Sequence, residues 1–244
     1  MAIDIWEANT DTDFDTGSNW DNATVPDGSD TVKYNASALD DCILVTSKTL
    51  QGMDLEAAFT RTVDLIASSL VKLPLTPLIV SGGTIKLPSP GVMECDGISN
   101  SGGTIDYGVG KVLLKGGDLL VDLLSANRRM YNVEFDSVGN IDAVVEPIIE
   151  GKLTLTNYNA LLDTWRLEGN LDANDSATST SPGNLVAQGT EDQIFTGTLA
   201  GGGGVIPSLT NNKTAGDLDV VGKFQVKKNW LDLPTGTAKI IYGS

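Results

Sequence analysis

Ser81-Gly82-Gly83-Thr84-Ile85 recurs unchanged as Ser101-Gly102-Gly103-Thr104-Ile105. The first copy continues with Lys86-Leu87 and the second with Asp106-Tyr107. The shared phrase is a glycine, a polar or small residue, an apolar residue, any residue, and a second apolar residue. It returns at Gly117-Asp118-Leu119-Leu120-Val121, Gly139-Asn140-Ile141-Asp142-Ala143, Gly151-Lys152-Leu153-Thr154-Leu155 and Gly169-Asn170-Leu171-Asp172-Ala173. Near the C-terminus it closes up, as Gly216-Asp217-Leu218-Asp219-Val220 and then Gly222-Lys223-Phe224-Gln225-Val226. Each copy reads as a tight turn, in which glycine takes φ > 0 without strain, feeding a strand whose alternate residues point inward. A spacing of roughly 12 to 22 residues suits short strands stacked in parallel, so the pattern predicts an all-β chain, a parallel β-helix or β-solenoid-like stack.

Composition sets the outer limits. The chain has 244 residues, enough to bury a sizeable core. Its 16 basic and 32 acidic residues give a net charge of −16, a surface that repels nucleic-acid phosphates. There is no histidine, which removes the usual general base and any Ser-His or Cys-His nucleophile pair. Cys42 and Cys95 lack metal-binding spacing and read as buried free thiols, pairing only if the fold brings them together. Met1 to Asp15 carries acidic residues and no apolar core of a signal peptide. The most apolar piece, Leu70 to Val80, is broken by Pro74 and Pro77. The reading is a protein made without an export signal and without a membrane.

Three regions follow from a pass along the chain: a cap or attachment region over 1–41, the stack over 42–184, and C-terminal rungs or a small β subdomain over 185–244. Ile3-Asp4-Ile5-Trp6 alternates like a strand, and a Pro26-Asp27-Gly28 turn feeds a second strand at Thr31 to Tyr34. Between them lies a polar, Asp-rich loop ending at Asn19-Trp20. Trp6 and Trp20, large apolar groups in this polar setting, are expected to cover an open end of the stack. Cys42 to Thr46 reads as the first buried strand. The apolar positions of 52–66 fit a helix or alternating strands, and Thr60, Thr62 and Val63 favour strands. Asp172 to Asn184 reads as an exposed loop, Gly201 to Gly204 as a four-glycine turn, and Trp230 with Pro234 as the end of the stack.

Two stretches carry a resemblance. Trp6 … Asp13-Phe14 … Gly17-Ser18-Asn19-Trp20 … Val25-Pro26 … Gly28-Ser29-Asp30-Thr31-Val32 resembles the N-terminus of structural proteins of tailed bacteriophages, including capsid decoration (cement) proteins. The run Pro207, Leu209, Thr210, Asn212 and Lys213, then Gly216 and Leu218, is similar to β-helix rungs of phage and bacterial surface proteins. The resemblance implies a non-enzymatic virion component on the outside of a capsid, a homotrimer whose partner is the major capsid protein, with no cofactor. A tail fibre or spike is the nearest alternative. A polysaccharide-binding or polysaccharide-cleaving β-helix is the alternative from another class.

Candidate sites are few. Asp11, Asp13 and Asp15 begin like a calcium loop, but the glycine, Gly17, comes one place late and the twelfth position is Asn22, so a solvated acidic loop is the plainer reading. A polysaccharide-cleaving site needs converging carboxylates with a Lys or Arg; Asp96, Asp106, Asp118 and Asp122 with Arg128 and Arg129 are its candidates. Glycine-rich Ser101 to Thr104 lacks the Gly-Lys-Ser/Thr of a phosphate loop. Residues 1–41 hold ten acidic residues and one lysine, whereas 213–244 hold five lysines against Asp217, Asp219 and Asp232. The interface candidates are therefore Trp6 and Trp20 at one end of the chain and Lys227 and Lys228 at the other.

Overall fold

The computed structural model describes residues 2–74, 76–174, 182–198, 205–222, 225–232 and 239–242. Most of the loop expected over 172–184, the Gly201 to Gly204 turn and Pro234 lie outside the described residues. Nearly all the regular structure is short parallel strand. The only helical turns among the described residues are Gly17–Asn19 and Ser125–Asn127, and no helix is long and apolar enough to cross a membrane. The protein is a parallel β-solenoid, with its strands grouped into two compact units: residues 1–115 with 120–127, and 116–119 with 128–244.

The first unit has three parallel sheets, visited in the same order on each turn from Thr31–Tyr34 onward. One sheet stacks Ile3–Ile5, Thr31–Tyr34, Gly52–Leu55, Leu78–Val80, Gly97–Asn100 and Leu119–Asp122. The second stacks Cys42–Ile43, Thr62–Asp64, Thr84–Lys86 and Thr104–Asp106. The third stacks Lys48–Thr49, Leu70–Leu73, Val92–Cys95 and Lys111–Gly116. The stretch that fitted helix or strand thus contributes two strands. Its Phe59 is buried in the turn between them.

Register turns sequence alternation into columns of like side chains. Val32, Met53, Leu78, Ile98 and Val121 stand over one another, all buried. So do Cys42, Val63, Ile85 and Ile105 on the second sheet. Burying a side chain of this size is worth about 1.5–3 kcal/mol, so the columns are the main favourable term.

The second unit follows the same logic with a change of section. Strand Ile148–Asn157 pairs with Arg129–Ser137 on one side. On the other it pairs with two shorter strands, Thr164–Leu167 and Asn170–Ala173. From there two ladders continue, through Asn184–Ala187, Leu209–Asn211 and Trp230–Asp232, and through Gln193–Gly197, Asp217–Gly222 and Lys239–Tyr242. The stack therefore continues past Trp230, where the sequence reading ended it. Val133, Leu153, Leu171, Phe195 and Val220 form the central buried column. Phe135 meets Trp165 edge to face, with centroids 4.8 Å apart.

Thr31–Tyr34 pairs with Gly52–Leu55, and Thr164–Leu167 with Asn184–Ala187, so sheets run through residues 41 and 184. The glycines also serve a different purpose from the one the repeat implied. Gly83 (φ +60°) and Gly216 (φ +68°) do take left-handed turns, but Gly151 lies inside a strand. There the reason is close approach: a Cβ on Gly169 would stand 1.6 Å from the carbonyl oxygen of Gly151 one turn earlier. Gly139 sits on Gly117 in the same way, at 2.4 Å, while Gly117 itself has nothing within 4 Å of its own Cβ position.

This contrast generates a test. Gly169→Ala should cost about 3 kcal/mol or more in chemical denaturation, or prevent folding, because backbone must move. Gly117→Ala should stay within about 0.5 kcal/mol of wild type. Equal effects at the two positions would remove close backbone packing as the reason for the repeat.

Candidate functional site

The N-terminal loop was the first place where the sequence pointed to a site. Trp6 and Trp20 are 0% and 1% exposed, so neither indole is available as a contact surface; this corrects their assignment as interface residues. They meet edge to face at 5.0 Å, with Phe14 against Trp20 at 4.8 Å and Tyr34 against Phe59 at 5.5 Å. Each indole N–H is satisfied, Trp6 donating to the Asp40 carbonyl at 3.2 Å and Trp20 to the Phe14 carbonyl at 2.9 Å. Aromatic mass in an Asp-rich loop is core here because the loop folds back over the first strand. Asp21 N–H donates to the Ile5 carbonyl and Glu7 N–H to the Asn19 carbonyl.

The three carboxylates of the calcium-like stretch do not converge. Asp11 Oδ1 accepts from the Asp13 N–H and from Asn19 Nδ2, which hold its carboxyl below the usual range. Asp13 Oδ1 accepts from the Asp15 N–H, and Asp15 is paired with Lys48 at 2.6 Å and Thr46 at 2.8 Å. They are turn-forming residues and one ion pair. Among the described residues no group of three His, Cys, Asp or Glu is placed to hold a metal ion.

Nor do the candidates for polysaccharide cleavage meet. Asp96 lies between the third and first sheets, Asp106 on the second and Asp122 on the first. Asp118 accepts from the Asn140 N–H, and Arg129 is held by Glu150 and by Glu168 at 2.8 Å. The Arg129 contact keeps Glu168 ionised, holding its carboxyl below the usual value against the opposing effect of burial. Both thiols are buried and unpaired, and burial pushes Cys95 up to about 12, so neither is a nucleophile. A cleft of about 330 Å³ opens beside Ile66, Ser68, Ser69, Ser89, Pro90 and Val92. Ser68 Oγ is spent on the Leu44 carbonyl and Ser89 Oγ on the Val109 N–H, and no charged group lines the cleft.

At the other end of the sequence Lys227 and Lys228 are exposed, and neither forms an ion pair with a described residue. Their backbone N–H groups donate to the Ile206 and Pro207 carbonyls, which fixes the turn that presents them. Trp230 and Leu231, just beyond, are 37% and 47% exposed. Lys213, counted in the sequence among the basic residues of this segment, is fully buried. Its ammonium donates to the Glu191 carbonyl at 2.5 Å and to Gln193 Oε1 at 3.2 Å, and burial pulls its pKa down. Nothing in the pattern around it signalled this, because the partners lie a full turn earlier in the chain.

No protein-family model, curated protein or solved structure matches the chain.

Asp4 is a further residue that sequence reasoning missed. Strand Ile3–Ile5 points its aspartate inward, in register with Val32, and leaves Ile3 exposed, the inverse of the usual amphipathic choice. Asn22 donates to Asp4, and burial, followed by Asp30, Asp21 and Asp27, raises the Asp4 carboxyl above its ordinary value. A carboxyl raised on folding contributes stability at low pH that is lost as pH rises through its folded pKa. Asp4→Asn should therefore melt higher than wild type at pH 7, and the gap should close below about pH 4. A variant no more stable than wild type at pH 7 would show that the buried charge is harmless.

Proposed function

We propose that this chain is a non-enzymatic structural protein of a tailed-phage virion, decorating and stabilising the outside of the capsid as a homotrimer bound to the major capsid protein. The observation that carries this reading is the pair Lys227 and Lys228, exposed at the turn that leads into strand Trp230–Asp232. On a chain of net charge −16, two exposed lysines without acidic partners among the described residues stand beside an exposed tryptophan and leucine. Tryptophan is enriched at protein interfaces, and a local positive charge lets an acidic molecule approach an acidic shell without repulsion at the contact.

The polar exterior supports the same reading. Its ion pairs link successive turns: Lys33 with Asp54, Lys72 with Glu94, Lys86 with Asp64, and Lys152 with Asp172. Each such exposed pair is worth at most about 1 kcal/mol. Together they tie neighbouring turns. In this reading the segment ending at Trp20 is an end cap. Its antiparallel bridge joins Trp20 to Trp6, just after the first strand, and the Asp21 N–H donates to the Ile5 carbonyl. Closed symmetry then comes from the sides of the molecule, as a threefold site on a capsid requires.

The test pairs a mass with a binding measurement. Light scattering of the purified chain should give a trimer. Co-sedimentation with undecorated capsids of the phage that encodes it should retain the wild-type chain. Lys227→Glu with Lys228→Glu should reduce retention about tenfold while the trimer persists. A stable monomer, or retention unchanged by the double charge reversal, would overturn this reading.

A further inference from the structure

The first unit has three corners, and they differ in charge. The corner leading into the second sheet carries Asp40, Asp41, Glu56 and Arg61, and the corner leading back into the first carries Asp27, Asp30 and Asp96. The corner between the second and third sheets is passed four times, by 44–47, 65–69, 87–91 and 107–110, and none of these segments holds a charged residue. Charged residues make up 20% of the chain, so four successive turns without one set this corner apart.

The corner is apolar outside as well as inside. Leu44, Leu65, Leu87 and Tyr107 are buried beneath it. Val45, Ile66 and Val109 are 56%, 40% and 55% exposed, and Pro90 is exposed with them. With strands about 4.8 Å apart, these side chains form a ridge over about 14 Å of the stack. The cleft of about 330 Å³ lies between its second and third turns, edged by Ile66 and Pro90. Three hydroxyls on the ridge are spent inside the molecule. Thr46 Oγ1 donates to Asp15 at 2.8 Å, Ser68 Oγ to the Leu44 carbonyl at 2.7 Å, and Ser89 Oγ accepts from the Val109 N–H at 3.1 Å. Covering them costs little, because these hydrogen bonds survive.

The sheets on either side add no net charge. Strands of the second sheet hold Asp64, Lys86 and Asp106. Strands of the third hold Lys48, Lys72, Lys111 and Lys115 against Glu94. Asp13 and Asp15 belong to the loop that lies along Cys42–Ile43. Five basic and five acidic side chains therefore balance, on a chain whose net charge is −16. Three of the pairs are closed, Lys48 with Asp15 at 2.6 Å, Lys86 with Asp64 at 3.2 Å and Lys72 with Glu94 at 3.5 Å.

Two copies of so acidic a chain repel each other, and the repulsion is least where this neutral face meets itself. Around a symmetry axis each residue faces its own copy, so a charge would meet a like charge and an apolar side chain meets an apolar one. We infer that Val45, Ile66, Pro90 and Val109 form the ridge along which copies of this chain associate, around an axis parallel to the stack. The inference rests on the homotrimer reading and adds which side of the first unit faces the axis. A stable contact buries about 800 Å² per partner. The ridge is its apolar centre, and the ion-paired strands on both sides are its polar rim.

Light scattering of the intact chain and one covalent probe test it. Ile66→Lys with Val109→Lys should raise the dissociation constant of the oligomer at least about tenfold, with an unchanged melting curve because both positions are exposed. Leu39→Lys, also exposed but on another corner, should leave the mass as in wild type. Ile66→Cys should form a disulfide between copies on mild oxidation, since Cys42 and Cys95 are buried. An oligomer that persists in the double lysine variant, or no cross-link at residue 66, would overturn the ridge and leave the trimer reading standing. A dimer dissociated by the two lysines would keep the ridge and overturn the threefold reading. Capsid retention lost while the oligomer persists would assign the ridge to the shell protein and also overturn the inference. A wild-type monomer would overturn both.

Discussion

Every turn of a parallel β-solenoid must place its backbone directly on the backbone of the turn before. Hydrogen bonds between turns set that distance, and side chains have to comply with it. Where two corners cross closely only hydrogen fits, as at Gly169 over Gly151 and Gly139 over Gly117. Where they part, as around Gly117, a side chain would be free. The repeating glycine is thus a record of how near successive turns come, more than of how sharply the chain bends. Backbone packing is the first constraint, and the columns of apolar side chains are arranged around it.

In-register stacking has a second consequence for chemistry. A residue faces its counterpart one turn away, so polar side chains find partners roughly twenty residues distant and form ladders. Lys86 meets Asp64 and Lys152 meets Asp172. Arg129 reaches over two turns to Glu150 and Glu168. A ladder spends its charges on its neighbours. Among the described residues no three acidic side chains are placed to hold a metal ion, and the candidate carboxylates for polysaccharide cleavage are distributed over different sheets and turns. Lys227 and Lys228 are among the groups that escape the ladders.

The inward columns tolerate exceptions only where a polar atom is compensated. Lys213 is buried because a backbone carbonyl and Gln193 receive its ammonium. Asp4 faces inward at the start of a column with Asn22 as donor, and its raised carboxyl shows incomplete compensation. Asn100 sits in register with Val80, and its Nδ2 has no partner among the described residues. These polar insertions lie within otherwise aliphatic stacks, where a one-turn slip would bury a charge against apolar neighbours. They therefore disfavour wrong registers as well as costing stability.

Much of the architecture was legible in the chain alone. Period-two alternation after each glycine identified the strands at 84–86, 104–106, 140–143 and 170–173, since one buried face is a local property of a strand. The β-formers resolved 52–66 into strands, and the absence of histidine narrowed the chemistry before any coordinates. What the chain could not disclose depends on which residues stack. Alternation in Ile3-Asp4-Ile5-Trp6 marks a strand but not which face turns inward, and folding put Asp4 there. Two tryptophans in an acidic loop look like surface anchors until the loop folds over the first strand and buries them. Gly151 and Gly169 look like turns until one is seen to rest on the other. Local pattern determined the elements, because it acts within a few residues. Register between turns decided the positions of the charges and of the closely packed glycines, because those contacts join residues about twenty positions apart.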